Sequence, residues 1–254
     1  MDHAILFSGD AAGAVMKQVL RISFGPGRLR ALFASWLLVW LLAAPLLAGE
    51  NYLAPHQPDG IALLAAPPLP DSAEQAADLA SVRAVFQARA PEELKQAEKR
   101  ADLSIYNFTP AIGDFFQPGK FPKTDRLLEG VNTNSTGAIN AAKEHWHRPR
   151  PYEVDPALMS GKAEKNASYP SGHSARGTVQ ALVLAELFPE KREGILQIGR
   201  DIGWDRVLLG KHFPTDVYAG RVLGQAIARE LTKSAAFQRD LAAAKAEVQA
   251  DERK

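Results

Sequence analysis

The chain has 254 residues, with 30 Lys plus Arg against 29 Asp plus Glu and a formal net charge of +1. That length is enough for one ordinary domain with its own core, and the balanced charge excludes a global basic field of the kind that recruits nucleic acid. There are no cysteines, which excludes disulfides, thiolate metal sites and cysteine nucleophiles.

In chain order, the first feature is an uncharged run at residues 31–48, A-L-F-A-S-W-L-L-V-W-L-L-A-A-P-L-L-A. It is about one bilayer thickness long. Lys17, Arg21, Arg28 and Arg30 precede it, and Gly49-Glu50 follows. Basic flank, apolar run and small residues at the end describe a secretory signal within residues 1–49, with an uncleaved membrane anchor as the alternative. Leu46 occupies the position where a small residue is preferred if the cut follows Ala48, and Met16 is a second candidate start. Either way the rest of the chain is expected outside the cytoplasmic membrane, in the periplasm. No second spanning run appears, so a polytopic protein is not expected.

Residues 50–70 are rich in proline and read as an extended arm or linker. Helical patterning then dominates. Ser72 can cap a helix whose apolar stripe is Leu79, Val82, Val85 and Phe86. Pro91 suits the first turn of the next, with Leu94 and Ala97 on one face. Residues 106–122 hold three prolines and two glycines and predict a break with a short helix inside it. A helix follows from about Thr124 to Trp146, with Leu127, Leu128, Val131, Ala138, Ile139 and Ala142 inward. Its polar residues Asn132, Asn134 and Ser135 are expected near the site entrance or in water.

Residues 174–188 are apolar on most sides, which predicts a central buried helix stopped by Pro189. Residues 190–208 carry Ile195, Ile198 and Ile202 at helical spacing. Gly220 and Gly224, with Ala219, Ala226 and Ala228, offer a small-residue face for close packing. The segment 235–254 is charged and Ala-rich and predicts a solvated helix or tail. No strand alternation or internal repeat is visible. The expected fold is an all-α bundle over residues 50–234, with the active site at the ends of central helices.

Three stretches carry the chemistry. They are K-E-H-W-H-R-P-R-P (143–151), Y-P-S-G-H-S (169–174) and D-R-V-L-L-G-K-H-F-P-T-D (205–216). Lys143 and Arg150 can face one cavity, where the Arg fork matches phosphate oxygens and the Lys supplies a point charge. Pro170-Ser171-Gly172 precedes an apolar helix, whose start presents unpaired N–H groups to an anion. Gly172 lets an oxyanion approach its backbone, Ser171 adds a hydroxyl, and His173 stands at the rim. Arg206 adds a third cation. Asp216 follows His212 by four residues, near enough to hold one ring nitrogen and leave the other free to attack.

Each piece alone is weak. A basic residue beside a proline is usually surface charge, Pro-Ser-Gly-His is commonly a helix-start turn, and a His and Asp four apart are often a surface pair. Their order and spacing together carry the argument. That pattern resembles the type 2 phosphatidic acid phosphatase superfamily: Lys, six residues, Arg-Pro; then Pro-Ser-Gly-His; then Ser-Arg, five residues, His, three residues, Asp. Lys143 and Arg150-Pro151 match the first block, Pro170 to His173 the second, and Arg206, His212 and Asp216 the third. Asp205 departs, standing where the family usually has Ser. Beyond the motifs, roughly residues 50–232 look like the bacterial class A non-specific acid phosphatases.

The resemblance implies an exported acid phosphatase acting on phosphate monoesters. Lys143, Arg150, Arg206, Ser171 and Gly172 would bind the phosphoryl group. His212 would attack phosphorus, Asp216 would orient it, and His173 would protonate the leaving group. The implied chemistry uses no cofactor or metal. His145 and His147 flank Trp146, but residues two apart on a helix do not face one another. Trp204 and Tyr152 are expected in packing roles, with Tyr152 able to border the substrate. The expected partners are small phosphorylated substrates, with no nucleic acid, a membrane only if residues 31–48 are retained, and a homo-oligomer left open. The rival functions are a membrane-anchored lipid or isoprenoid diphosphate phosphatase, a vanadate-dependent haloperoxidase and a phosphate-binding module without turnover. Asp205 is expected either to face away from the site or to pair with a nearby cation.

Overall fold

Among the described residues, the most apolar of the long helices becomes the centre of the fold. The computed structural model describes residues 51–252, so the expected export segment lies outside the described residues. Every regular element among them is helical. Seven longer helices are α1 (Ala73–Ala88), α2 (Pro91–Lys99), α3 (Pro122–Trp146), α4 (Gly172–Leu187), α5 (Arg192–Leu208), α6 (Pro214–Leu231) and α7 (Ala235–Glu252). Their starts follow local rules. The Ser72 hydroxyl caps α1 and the Ser171 hydroxyl caps α4. Pro91, Pro122 and Pro214 occupy first turns, where the missing N–H costs nothing.

Helix α4 is buried on most of its circumference, including Val179, Ala181, Val183, Leu184 and Ala185. Helices α5 and α6 flank it, α3 packs across it, and α1 and α2 lie against α5. The flanking helices approach closely because glycines remove the side chain at the crossing. A Cβ on Gly220 would sit 2.4 Å from the Ser171 carbonyl oxygen, and one on Gly224 would sit 2.5 Å from that of Ala175. The predicted small-residue face of α6 is therefore the contact that seats it on the first turns of α4.

Two segments are more integrated than their sequence suggests. The expected solvated segment forms α7, which buries Phe237, Leu241, Ala244 and Val248 in the main core. Those positions repeat every three to four residues, so one apolar stripe faces inward while the other faces keep the charge. Glu247 on α7 also accepts hydrogen bonds from the Lys123 and Thr124 N–H groups, which closes the start of α3. The proline-rich arm is likewise packed. Tyr52 is buried, its ring meets Phe237 edge-on at 5.6 Å, and the Tyr52 and Leu53 N–H groups donate to Asn134 Oδ1. Asn134 thus anchors the arm rather than bordering the site.

Gly220→Ala should force α6 away from the start of α4, because the new methyl meets backbone rather than a mobile side chain. A loss of about 1–3 kcal/mol is expected from denaturant unfolding, whereas Gln225→Ala on the exposed face of α6 should change stability by no more than about 0.5 kcal/mol.

Candidate active site

The last turn of α3 carries Lys143, and the chain then turns sharply at His147, which adopts a left-handed conformation with φ 49°. The following residues run extended to Arg150, where Pro151 opens a short turn. Arg148 and Arg150 project from this linker into the protein, and both are buried. The segment from Met159 to Tyr169 returns to the start of α4. The end of α5 and the start of α6 supply Arg206, His212 and Asp216.

His212 is the centre of the arrangement and is only 2% exposed. Its Nδ1 lies 3.3 Å from Asp216 Oδ2, and its Nε2 lies 3.3 Å from Arg150 Nη1. A guanidinium can only donate and an ionised carboxylate can only accept. The proton of neutral His212 therefore belongs on Nδ1, and the lone pair belongs on Nε2. Burial, followed by the positive charges of Arg150, Lys143 and Arg206, holds the His212 pKa well below the usual imidazole range. The ring stays neutral, and its free nitrogen faces cations.

Asp216 is fully buried and saturated with donors. Arg148 Nη1 donates to Oδ1 at 2.6 Å, while the Ser168 hydroxyl and the Phe213 N–H donate to Oδ2 at 2.5 and 2.9 Å. The Asp216 carbonyl also accepts the Ser171 N–H at 2.9 Å, which locks the start of α6 to the start of α4. Arg148 extends this network to α1, donating to Gln75 Oε1 at 2.6 Å and Asp78 Oδ2 at 2.8 Å, and its guanidinium lies over the Phe213 ring.

Arg150 is spread across several acceptors: the Asn166 carbonyl and side-chain oxygen, and the Lys211 carbonyl. Lys143 Nζ donates to the Ala167 and Ser168 carbonyls. Burial, then the charge of Arg150, pulls the Lys143 pKa down to about 7. Arg206 pairs with Glu164, and its Nε is buried with no partner among the described residues, a donor that a phosphoryl oxygen would satisfy. Burial tends to raise the Glu164 pKa, but Arg206, Arg150, His173 and Lys211 together hold it below its ordinary value. An entering anion must displace this carboxylate or share its cations. Ser171 Oγ accepts the Ser174 N–H at 3.3 Å as the helix cap, which leaves its own hydrogen free to donate. His173 Nε2 meets the Ala101 carbonyl at 3.1 Å, and burial followed by Arg206 lowers its pKa to about 4.

The structure thus gathers Lys143, Arg150, Arg206, Ser171, Gly172, His173, His212 and Asp216 in one region, as their spacing predicts. Asp205 does not join them. It forms a two-pronged ion pair with Arg100 at 2.6 and 2.9 Å, at the interface of α5 with α2. Trp204, expected in packing, is 44% exposed. Tyr152 is buried, and its hydroxyl accepts the Glu164 N–H. His145 stacks edge-on against Trp146. Sequence reasoning missed Arg148, Glu164, Asn166 and Ser168. Arg148 carried a signal, because it shares its Arg-Pro doublet with Arg150. The other three lie in a polar loop with no pattern of its own.

The chain belongs to the PAP2 superfamily. The superfamily's sequence model matches residues 130–240, which include all eight residues named above. A non-specific acid phosphatase of Providencia stuartii is 34% identical over 199 residues, 74% of this chain and 80% of that protein. One from Salmonella typhimurium is 36% identical over 164 residues, 61% of this chain; the match spans 66% of that relative. A lipid A 1-phosphatase of Rhizobium etli is 35% identical over 88 residues, 34% of this chain and 37% of that protein.

Asp205→Ser restores the usual superfamily residue but leaves Arg100 without its partner. The denaturation midpoint should fall, by roughly 1–3 kcal/mol in stability, while relative kcat/KM across a panel of uncharged phosphate esters should stay within about threefold, the parent and variant panels being compared directly.

Proposed function

We propose that the protein is an exported acid phosphatase that hydrolyses phosphate monoesters through a phosphohistidine on His212, without a metal ion. The observation that carries this reading is the placement of His212 Nε2, a lone pair held beside Arg150 while Nδ1 is committed to Asp216. The acid phosphatase names of the relatives support phosphate-ester hydrolysis.

Binding comes first. Lys143, Arg150, Arg206, the Ser171 hydroxyl and the unpaired N–H groups at the start of α4 would surround the phosphoryl oxygens. Phosphoryl transfer gains mainly from positioning and charge stabilisation, and these groups supply both. His212 Nε2 then attacks phosphorus as the P–O bond to the leaving group breaks. The departing alkoxide takes a proton from His173. Water attacks the phosphohistidine in the second step, giving its proton back to His173, and phosphate and neutral His212 are released.

The two imidazoles have opposite requirements. His212 must be neutral, and its lowered pKa keeps it so in acid. His173 must carry a proton, and its pKa of about 4 means that the fraction protonated falls as pH rises. A bound phosphate dianion favours the protonated form and offsets part of that depression. Both effects place the optimum on the acidic side of neutrality.

A second reading is a membrane-anchored lipid phosphatase, favoured by the lipid A 1-phosphatase relative and by the apolar run at residues 31–48. Among the described residues no helix is long and apolar enough to cross a membrane. Sizing the amino terminus after export and comparing turnover of small esters with lipid phosphates separates the two readings.

Rapid quench into alkaline detergent after mixing with a phosphate-labelled ester should trap base-stable, acid-labile phosphate on the parent protein and none on His212→Ala. His173→Ala should slow alkyl esters by about 10²–10⁴-fold and nitrophenyl esters much less, since that leaving group needs little protonation; equal losses on both would reject the acid role. The ratio kcat/KM should begin to fall above about pH 4, as His173 loses its proton, and fall more steeply above about pH 7, where Lys143 loses its charge; Lys143→Arg should remove the second break even if the rate drops.

A further inference from the structure

Most interior guanidinium groups near the site are matched by a carboxylate or by several carbonyls. Arg148 meets Asp78 and Asp216, Arg206 meets Glu164, Arg100 meets Asp205, and Arg150 is held by backbone carbonyls and Asn166. Arg176 differs. It is half-buried, and its hydrogen bond runs from Nη2 to the Thr136 hydroxyl at 3.2 Å. No carboxylate lies within ion-pair distance of it among the described residues. Burial alone shifts its pKa downward, with no acid counteracting it. A desolvated charge without a counterion is costly, and a guanidinium carries five donors of which a hydroxyl uses one.

Its position gives that charge a purpose. Arg176 follows Gly172 by four residues and His173 by three on α4, so all three share one helix face. A Cβ placed on Gly172 would lie 3.4 Å from Arg176 Nη1 and 3.8 Å from Lys143 Cε. The guanidinium therefore flanks the phosphate cradle beside Lys143, on the side toward Thr136 of α3. It is not needed to hold the helix, since its partner is a neutral hydroxyl.

We propose that Arg176 forms a second anion subsite at the rim of the cradle, which receives a second oxyanion carried on the leaving-group portion of the substrate. The preferred substrates are phosphate monoesters bearing a carboxylate or a further phosphate two or three carbons from the reacting ester. The planar fork of Arg176 suits either oxyanion, because both present paired oxygens. This inference rests on the phosphatase reading above, whose failure would be visible separately.

The test uses matched esters on the full chain. One pair is 3-phosphoglycerate with glycerol 3-phosphate, and the other is ethylene glycol bisphosphate with ethylene glycol monophosphate. Arg176→Gln should lower kcat/KM for the doubly anionic member of at least one pair by about 10–100-fold, the range for a lost charge-assisted hydrogen bond, and change its neutral counterpart by less than about threefold. Which pair responds identifies the oxyanion as carboxylate or phosphate. Arg176→Lys keeps a point charge and should retain part of the preference, which secures the comparison if the glutamine variant folds poorly. Equal losses within both pairs would overturn the subsite and assign Arg176 to the transferred phosphate or to folding. Failure of the parent protein to hydrolyse glycerol 3-phosphate or ethylene glycol monophosphate would count instead against the phosphatase reading.

Discussion

A single buried carboxylate holds this structure to its chemistry. Asp216 has no access to water, so its charge must be met by donors within the protein. Those donors come from three separate parts of the chain: Arg148 on the linker after α3, Ser168 before α4, and the Phe213 N–H at the head of α6. Through Arg148 the carboxylate also engages Asp78 on α1. Its backbone carbonyl fastens the start of α4 through the Ser171 N–H. Removing one donor would leave a buried charge under-satisfied and would loosen several elements together. The same carboxylate selects the tautomer of His212. Fold and reactivity therefore depend on one constellation.

The surrounding electrostatics are unfavourable until an anion arrives. Lys143, Arg150, Arg206 and Arg176 crowd a desolvated region, and the pKa of each is pulled down by burial first. Glu164 relieves part of this by pairing with Arg206. A phosphate dianion would relieve more, since it offers several oxygens to several donors at once. Preorganised donors of this kind act most strongly where charge develops on the transferring group. The half-exposed Glu164 is a poorer occupant than a phosphate, and a polar loop rather than a helix carries it, so its displacement need not disturb the bundle.

Much of this was legible in the linear sequence because the relevant signals are local. Prolines mark the starts of α2, α3 and α6, and the apolar run after Pro-Ser-Gly-His marks the buried α4. The three motifs name the residues that converge. What was not legible depends on partners far apart in the chain. Asp205 cannot be assigned without knowing that Arg100, over a hundred residues earlier, packs beside it. Arg148 looks like a duplicate of Arg150 until the fold turns one toward Asp216 and the other toward His212. Glu164 and Ser168 lie in a loop whose path is set by the carbonyls that Lys143 and Arg150 hold. Helix α7 reads as solvated because its apolar stripe is narrow, and only the groove between α3 and α4 reveals that Phe237 and Leu241 have somewhere to go.

The most direct test of the central claim is a crystal structure of residues 50–254 with bound orthovanadate, which mimics phosphorus under attack. The account predicts a trigonal-bipyramidal vanadate bonded to His212 Nε2, with Lys143, Arg150 and Arg206 on its oxygens, Glu164 displaced and Nδ1 still on Asp216. Vanadate bound elsewhere, or a His212 ring that keeps Nε2 turned away from the ion, would contradict it.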